Sequence, residues 1–202
     1  MPVDGLCRCC GRAVEGLAGD YLCEDCRLPS TRPAFDGAAS AVRFEAEARR
    51  MVLDYKFNRH FQLKEDFADW LEAVARSRFD VTAVDAVLGM PITEVHRIDR
   101  GYNQSDYLAR ELARRIERLY LARALVRTGS PRRQAGLAER ERRENVAGTF
   151  EVVQPRRVRG RTLLLVDDVM TTGATLSEAA RSLKKCGAWR VWCVTLARSL
   201  RD

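Results

Sequence analysis

The sequence lacks any stretch suited to a bilayer. Its longest apolar runs, such as LLLV before Asp167, fall far short of the roughly 20 residues a spanning helix needs, and the start MPVDGLCRCC has no basic segment followed by an apolar one. The expectation is a cytoplasmic protein with no membrane insertion. GxxxxGK[ST] and GxGxxG are both missing, so the usual nucleoside-triphosphate and dinucleotide sites are unsupported. Internal repeats and low-complexity tracts are missing too. Histidine is nearly absent, and the isolated His60 and His96 receive no role. Lysine is scarce: only Lys56, Lys64, Lys184 and Lys185 stand among 35 basic residues, so arginine carries the net charge of +7. A coding bias accounts for that preference equally well, and net charge bears on solubility and steering rather than on a named partner. Its location says more, because residues 127–161 hold ten arginines against four glutamates, nearly the whole excess.

What is present fits one or two domains: 202 residues, 46% of them hydrophobic, are enough to bury a substantial core. Cys7, Cys10, Cys23 and Cys26 form C-x2-C-x12-C-x2-C, a spacing that lets two turns offer four thiolates to one tetrahedral Zn²⁺. Four thiolates leave no coordination position for water or substrate, so this zinc is structural. Disulfides are the alternative, disfavoured in a reducing compartment. Cys9 is an extra thiol, and Cys186 and Cys193 read as core residues. LPSTRPAFDG, with two prolines, reads as a linker and places a boundary near residue 35, dividing a knuckle (1–35) from an α/β domain (36–202).

Within that domain AASAVRF predicts a strand, and EAEARRMVLDYKF a helix with Ala48, Met51, Val52 and Tyr55 at helical spacing. A helix follows over Phe61 to Ser77. Val81 to Met90 is β-rich and stops at Pro91, a run of good helix formers extends from Ser105 to Arg123, and Leu125 to Arg127 is another strand. Strands over Arg161 to Val166 and Val191 to Ala197 flank a helix over Leu176 to Cys186. Alternation of this kind predicts a parallel sheet covered by helices.

The most specific stretch is TLLLVDDVMTTGATLSEAARSL: an apolar strand, two acids at its carboxyl end, a hydroxyl-rich loop with one glycine, then a helix. Ligands of open α/β sheets bind beyond the carboxyl ends of strands, and the N–H groups of a helix start attract phosphate. Val169 to Thr175 would thus cradle a phosphate monoester: Thr171, Thr172 and Thr175 add hydroxyl donors, and Gly173 lets the backbone come close, with Val169, Met170 and Ala174 between them. Asp167 and Asp168 would sit one ribose ring away, accepting from vicinal hydroxyls and helping to hold Mg²⁺. The bland alternative, acids ending a strand and threonines capping a helix, covers either feature alone.

VDDVMTTGAT resembles the phosphoribosyl-diphosphate motif of the type I phosphoribosyltransferases. The paired CxxC knuckle, DYKF around Lys56, RGYNQ from Arg100 to Gln104 and QAGLAERERREN from Gln134 to Asn145 are similar to the ComF competence-protein family, which includes the GntX-like proteins. The resemblance spans almost the whole chain. It implies a phosphoribosyltransferase fold with a small hood, phosphoribosyl diphosphate as ligand, Mg²⁺ with it, and a link to uptake of transforming DNA with competence-machinery proteins as partners. It also implies binding roles for Lys56, Arg100, Asn103 and Gln104. Arg97, Arg100 and the amides near Pro91 would meet the diphosphate. Thr128 to Asn145 falls where the fold carries a mobile catalytic loop, in which Arg132, Arg133 and Arg142 would close over the leaving diphosphate. Catalytic contributions are thereby expected from Asp167, Asp168 and Arg133, whereas no cluster marks an acceptor pocket. Two other readings stay open: the arginines contact single-stranded DNA, or the pocket senses phosphoribosyl diphosphate without catalysis.

Overall fold

The computed structural model describes residues 5–14, 21–57, 61–128 and 148–199. At the N-terminus β1 (Gly5–Leu6) and β2 (Ala13–Val14) form an antiparallel pair, followed by the single turn α1 (Glu24–Arg27). The α/β part runs β3 (Gly37–Arg43), α2 (Ala46–Phe57), α3 (Lys64–Arg78), β4 (Ala86–Gly89), α4 (Glu94–Arg100), α5 (Gln104–Arg115), β5 (Leu119–Tyr120), β6 (Leu125–Arg127), β7 (Phe150–Val152), α6 (Pro155–Val158), β8 (Thr162–Met170), α7 (Ala174–Lys185) and β9 (Arg190–Arg198). Five strands make one parallel sheet in the order β3-β9-β8-β4-β5, while β6 and β7 pair separately as an antiparallel hairpin.

The central strands are buried on both faces, which is why LLLV is a continuous apolar run. Successive side chains point to opposite faces. Leu163 and Leu165 pack with Leu176, Ala179, Ala180 and Leu183 of α7, whereas Leu164 and Val166 pack with Leu108, Ala109 and Leu112 of α5 and with Phe67 and Leu71 of α3. The i, i+3, i+4, i+7 apolar spacing of α7 fits that one-sided burial.

Most expected elements form within a residue or two of their expected bounds, and three differ for physical reasons. The helix formers beyond Ser105 do not run to Arg123. α5 ends at Arg115, Arg118 N–H returns to Ala113 O at 2.8 Å, and Leu119–Tyr120 joins the sheet beside Ala86 and Val87. Strand pairing here outweighs helix propensity. Val81–Ala83 is a short 3₁₀ turn capped by Asp80, leaving only Ala86–Gly89 extended. β8 does not stop at Val166 but continues through both acids to Met170, because β9 pairs with it as far as Met170↔Arg198.

The stretch expected as a linker is packed rather than free. Ala34 N–H donates to Ser177 Oγ at 2.9 Å, and Phe35 is buried. Ala38 N–H donates to Cys9 O at 2.7 Å, and the buried Arg198 guanidinium donates to Cys10 O. The four cysteines of the knuckle share one apolar cluster with Leu163 and Leu176. No helix among the described residues is long and apolar enough to cross a membrane.

Candidate functional site

The site lies where the sheet changes winding direction, between β4 and β8. β4 ends at Gly89, paired with Val166, so the next residues of β8, Asp167 and Asp168, project past it into a crevice. The start of α5 closes the other side. A Cβ at Gly89 would lie 2.6 Å from Asp106 Cα and 2.7 Å from its nitrogen, so only glycine lets the helix start this close to the strand. Asn103 fixes that start: its Oδ1 accepts from Ser105 N–H at 3.1 Å and its Nδ2 donates to Met90 O at 3.0 Å.

Gln104 and Ser105 are thereby delivered to the acid pair. Gln104 Nε2 donates to Asp168 Oδ2 at 3.1 Å, and Ser105 Oγ donates to Asp167 Oδ1 at 3.0 Å. Lys56, in the last turn of α2, places Nζ 2.7 Å from the same Asp168 Oδ2. Tyr102 joins the two helices, its hydroxyl donating to Tyr55 O at 2.5 Å. The two sequence blocks DYKF and RGYNQ, 47 residues apart at that bond, thus meet at one carboxylate. Asp168 Oδ1 accepts from Val169 N–H at 2.7 Å, and Asp167 Oδ1 also accepts from Asp168 N–H at 2.9 Å. Burial first, and the adjacent Asp168 charge second, push the Asp167 carboxyl up to about 7, opposed by Lys56.

Below the acids Thr171, Thr172 and Gly173 turn the chain into α7. Gly173 has φ +78°, and a Cβ there would meet Met170 Cε at 2.9 Å. Thr172 Oγ1 accepts from Ala174 N–H at 3.2 Å, while the first intrahelical bond runs from Ser177 N–H to Gly173 O. Thr175 and Leu176, in the first turn, have N–H groups with no intrahelical acceptor. That is an anion cradle one strand-end away from two carboxylates, geometry suited to a phosphorylated sugar.

Of the residues expected at the site, Lys56 and Gln104 meet at Asp168, and Val169 to Thr175 follow the acids along β8 and into the start of α7. Arg100 ends α4 immediately before the left-handed Gly101. Arg97 is ion-paired with Glu94 on its own helix and exposed. Arg132, Arg133, Arg142 and His60 lie outside the described residues. Sequence reasoning missed Ser105, whose only signal was adjacency to RGYNQ, and Arg127, which counted only as charge. Arg127 stacks over the Phe150 ring at 5.4 Å; burial pulls its guanidinium below the usual arginine value, Asp167 draws it back up, and its Nε is buried without a partner among the described residues. It lines a cavity of about 390 Å³ with Gly89, Pro91, Arg97, Asn103 and Tyr107.

Cys7, Cys10, Cys23 and Cys26 are all buried, with their sulfurs within 4.8 Å of one another and Cys10 Sγ 3.6 Å from Cys23 Sγ. Tetrahedral Zn–S bonds of about 2.3 Å put sulfurs about 3.8 Å apart, so the set fits zinc. Cys23 N–H donates to Cys7 Sγ at 3.3 Å, and Arg198 Nη2 lies 3.9 Å from Cys10 Sγ, both suited to thiolate charge. Mg²⁺ fits poorly between the two acids: an ammonium and an amide already occupy Asp168 Oδ2, so a small dication demanding octahedral oxygens would have to displace them to be shared by both carboxylates.

Residues 104–202 match the phosphoribosyl transferase domain family. The chain is 29% identical to DNA utilization protein YhgH of Escherichia coli O157:H7, covering 94% of this chain and 89% of that protein. It is 26% identical to competence protein F of Haemophilus influenzae, covering 97% and 91% respectively. Among solved structures, glutamine phosphoribosylpyrophosphate amidotransferase from B. subtilis superposes with a TM-score of 0.48 at 18% identity, over 71% of this chain and 30% of that longer one. A phosphoribosyl transferase domain match over residues 104–202, together with relatives named for DNA utilization and competence that align over more than nine-tenths of the chain, supports a place for this chain in the ComF competence-protein family, within the phosphoribosyltransferase superfamily.

Proposed function

We propose that this chain binds 5-phosphoribosyl 1-diphosphate and is a phosphoribosyltransferase-like protein serving DNA uptake, with its acceptor still to be identified. The observation that carries the reading is the convergence of Lys56, Gln104 and Ser105 on Asp167 and Asp168, in the strand that leads into the Thr171–Thr175 turn. In this reading the amides and hydroxyls of the cradle hold the 5-phosphate and the acid pair accepts from the ribose hydroxyls. The diphosphate extends into the cavity beside β4, toward Arg97, Arg127 and the start of α5. Substitution at ribose C1 breaks the bond to diphosphate and forms one to the acceptor through an oxocarbenium-like centre. Arginine forks neutralise the leaving oxygens, so positioning and electrostatics carry most of the acceleration. Arg100 and Arg133 are assigned to the same diphosphate.

The zinc knuckle (1–35) and the transferase-like domain (36–202) act as two units on a shared core, the zinc in the knuckle being structural. The printed names of the relatives, DNA utilization and competence, support a setting in which DNA is handled. A second reading therefore has the pocket sensing phosphoribosyl diphosphate while the arginine-rich segment meets single-stranded DNA. Incubating the protein with phosphoribosyl diphosphate and a panel of bases and amines, with diphosphate release as readout, separates the two. Turnover with one acceptor supports the enzyme; tight binding without turnover, with salt-sensitive DNA binding, supports the sensor.

A further inference from the structure

Asp168 is committed on every side that the structure records. Oδ2 takes the Lys56 ammonium and the Gln104 amide, Oδ1 takes Val169 N–H, and the side chain is only 7% exposed. Lys56 is not a wandering surface lysine. It follows Tyr55, which is fully buried and whose carbonyl is gripped by the Tyr102 hydroxyl, and Val52 one turn earlier is fully buried too. The ammonium is thus delivered to Asp168 by backbone anchored on both helices, and its field also acts on Asp167. The acid pair therefore already has a side-chain cation within ion-pair distance, on the Asp168 oxygen that a dication would share. Asp167 Oδ2 is the carboxylate oxygen of the pair with no protein donor among the described residues, which leaves it for a sugar hydroxyl.

Resting on the ribose 5-phosphate reading above, we propose that Lys56 is the resident cation of the acid pair, so that the site takes a ribose 5-phosphate group with no divalent ion bound at Asp167 and Asp168. The ammonium holds the Asp168 carboxylate in place as an acceptor, and its remaining N–H bonds are available to sugar oxygens. A divalent ion that travels with a diphosphate is irrelevant to this step, and for that reason the probe is ribose 5-phosphate, which has no diphosphate.

The test is calorimetric titration of the zinc-loaded full chain with ribose 5-phosphate, in buffer freed of divalent ions on a chelating resin and again with millimolar Mg²⁺. Zinc content is checked after each run, because soluble chelators would strip the knuckle. Wild-type affinity is expected to agree within about twofold between the two buffers. Lys56→Met should lose about tenfold or more without Mg²⁺ and regain part of it with Mg²⁺, and Lys56→Arg should retain most of the Mg²⁺-free affinity. Wild-type binding that requires Mg²⁺ overturns the proposal while leaving the ribose 5-phosphate reading intact. A folded Lys56→Met variant that matches wild type without Mg²⁺ overturns it as well. Absence of binding by wild type in both buffers overturns the proposal and the reading together.

Discussion

Replacing Asp167 by Asn tests whether the acid pair is held under electrostatic load. The carboxyl sits beside Asp168, with burial as the larger and the neighbouring charge as the smaller cause of its upward shift to about 7 from an ordinary 3.8. A carboxyl whose folded value is raised favours the protonated folded state. Its ionisation therefore costs stability progressively as pH rises from its unfolded value toward its folded one, and the cost is constant above that. Shifting a pKa by about three units corresponds to about 4 kcal/mol, of which about 2.5 kcal/mol accumulates between pH 5 and pH 8. Asparagine keeps Oδ1 as acceptor for Ser105 and the Asp168 amide but never ionises. Relative to the Asn variant, the ligand-free wild type should thus lose about 5–10 °C in melting temperature between pH 5 and pH 8, at about 2–4 °C per kcal/mol for a chain of this size. Thermal melts of both proteins, zinc-loaded, across that range are the assay. Subtracting one curve from the other removes the titrating groups that do not sense Asp167. Parallel curves would show that Asp167 is ionised without penalty and that the pair is not loaded as argued.

The knuckle should hold about one Zn²⁺ per chain as purified, measured by elemental analysis, and metal removal should expose Cys7, Cys10, Cys23 and Cys26 to thiol reagents before the main melt. Metal-free protein with these thiols still protected would contradict the four-thiolate site. Gly89→Ala should cost about 1–3 kcal/mol, because the new Cβ runs into the backbone of Ser105 and Asp106, and should weaken ribose 5-phosphate binding by moving Gln104 and Ser105 off the acids. Denaturant melts and calorimetry on that variant check both parts; full stability with unchanged affinity would mean that α5 is free to shift at no cost.

How much of this was legible in the sequence depends on the range of the interaction involved. The apolar run of β8, the acids and the threonine loop are contiguous, so local chemistry alone placed them on one strand–loop–helix unit. The cysteine spacing worked for the same reason. Lys56 and RGYNQ stood out only through family resemblance, and nothing local says that a lysine in α2 reaches an aspartate more than a hundred residues later. The end of α5 was misplaced because propensity is local, whereas β5 exists only by pairing with β4. The apparent linker around Pro33 is packed because Phe35 and Ala34 find partners on α7, which two prolines and a glycine cannot announce. Arg127 was invisible as an individual since its ring partner Phe150 comes from a different strand, more than twenty residues later.

The most direct test of the central claim is a calorimetric titration of phosphoribosyl diphosphate into wild type and into the Asp167→Asn, Asp168→Asn double variant, with circular dichroism to establish that both are folded. The site as described predicts saturable binding to wild type at about one ligand per chain and a loss of about 100-fold or more in the double variant, since the open Asp167 oxygen becomes a weaker neutral acceptor and Asp168 loses the charge that holds Lys56 in place. Equal affinity in the two folded proteins would contradict it, because the sugar would then lie elsewhere than against Asp167 and Asp168.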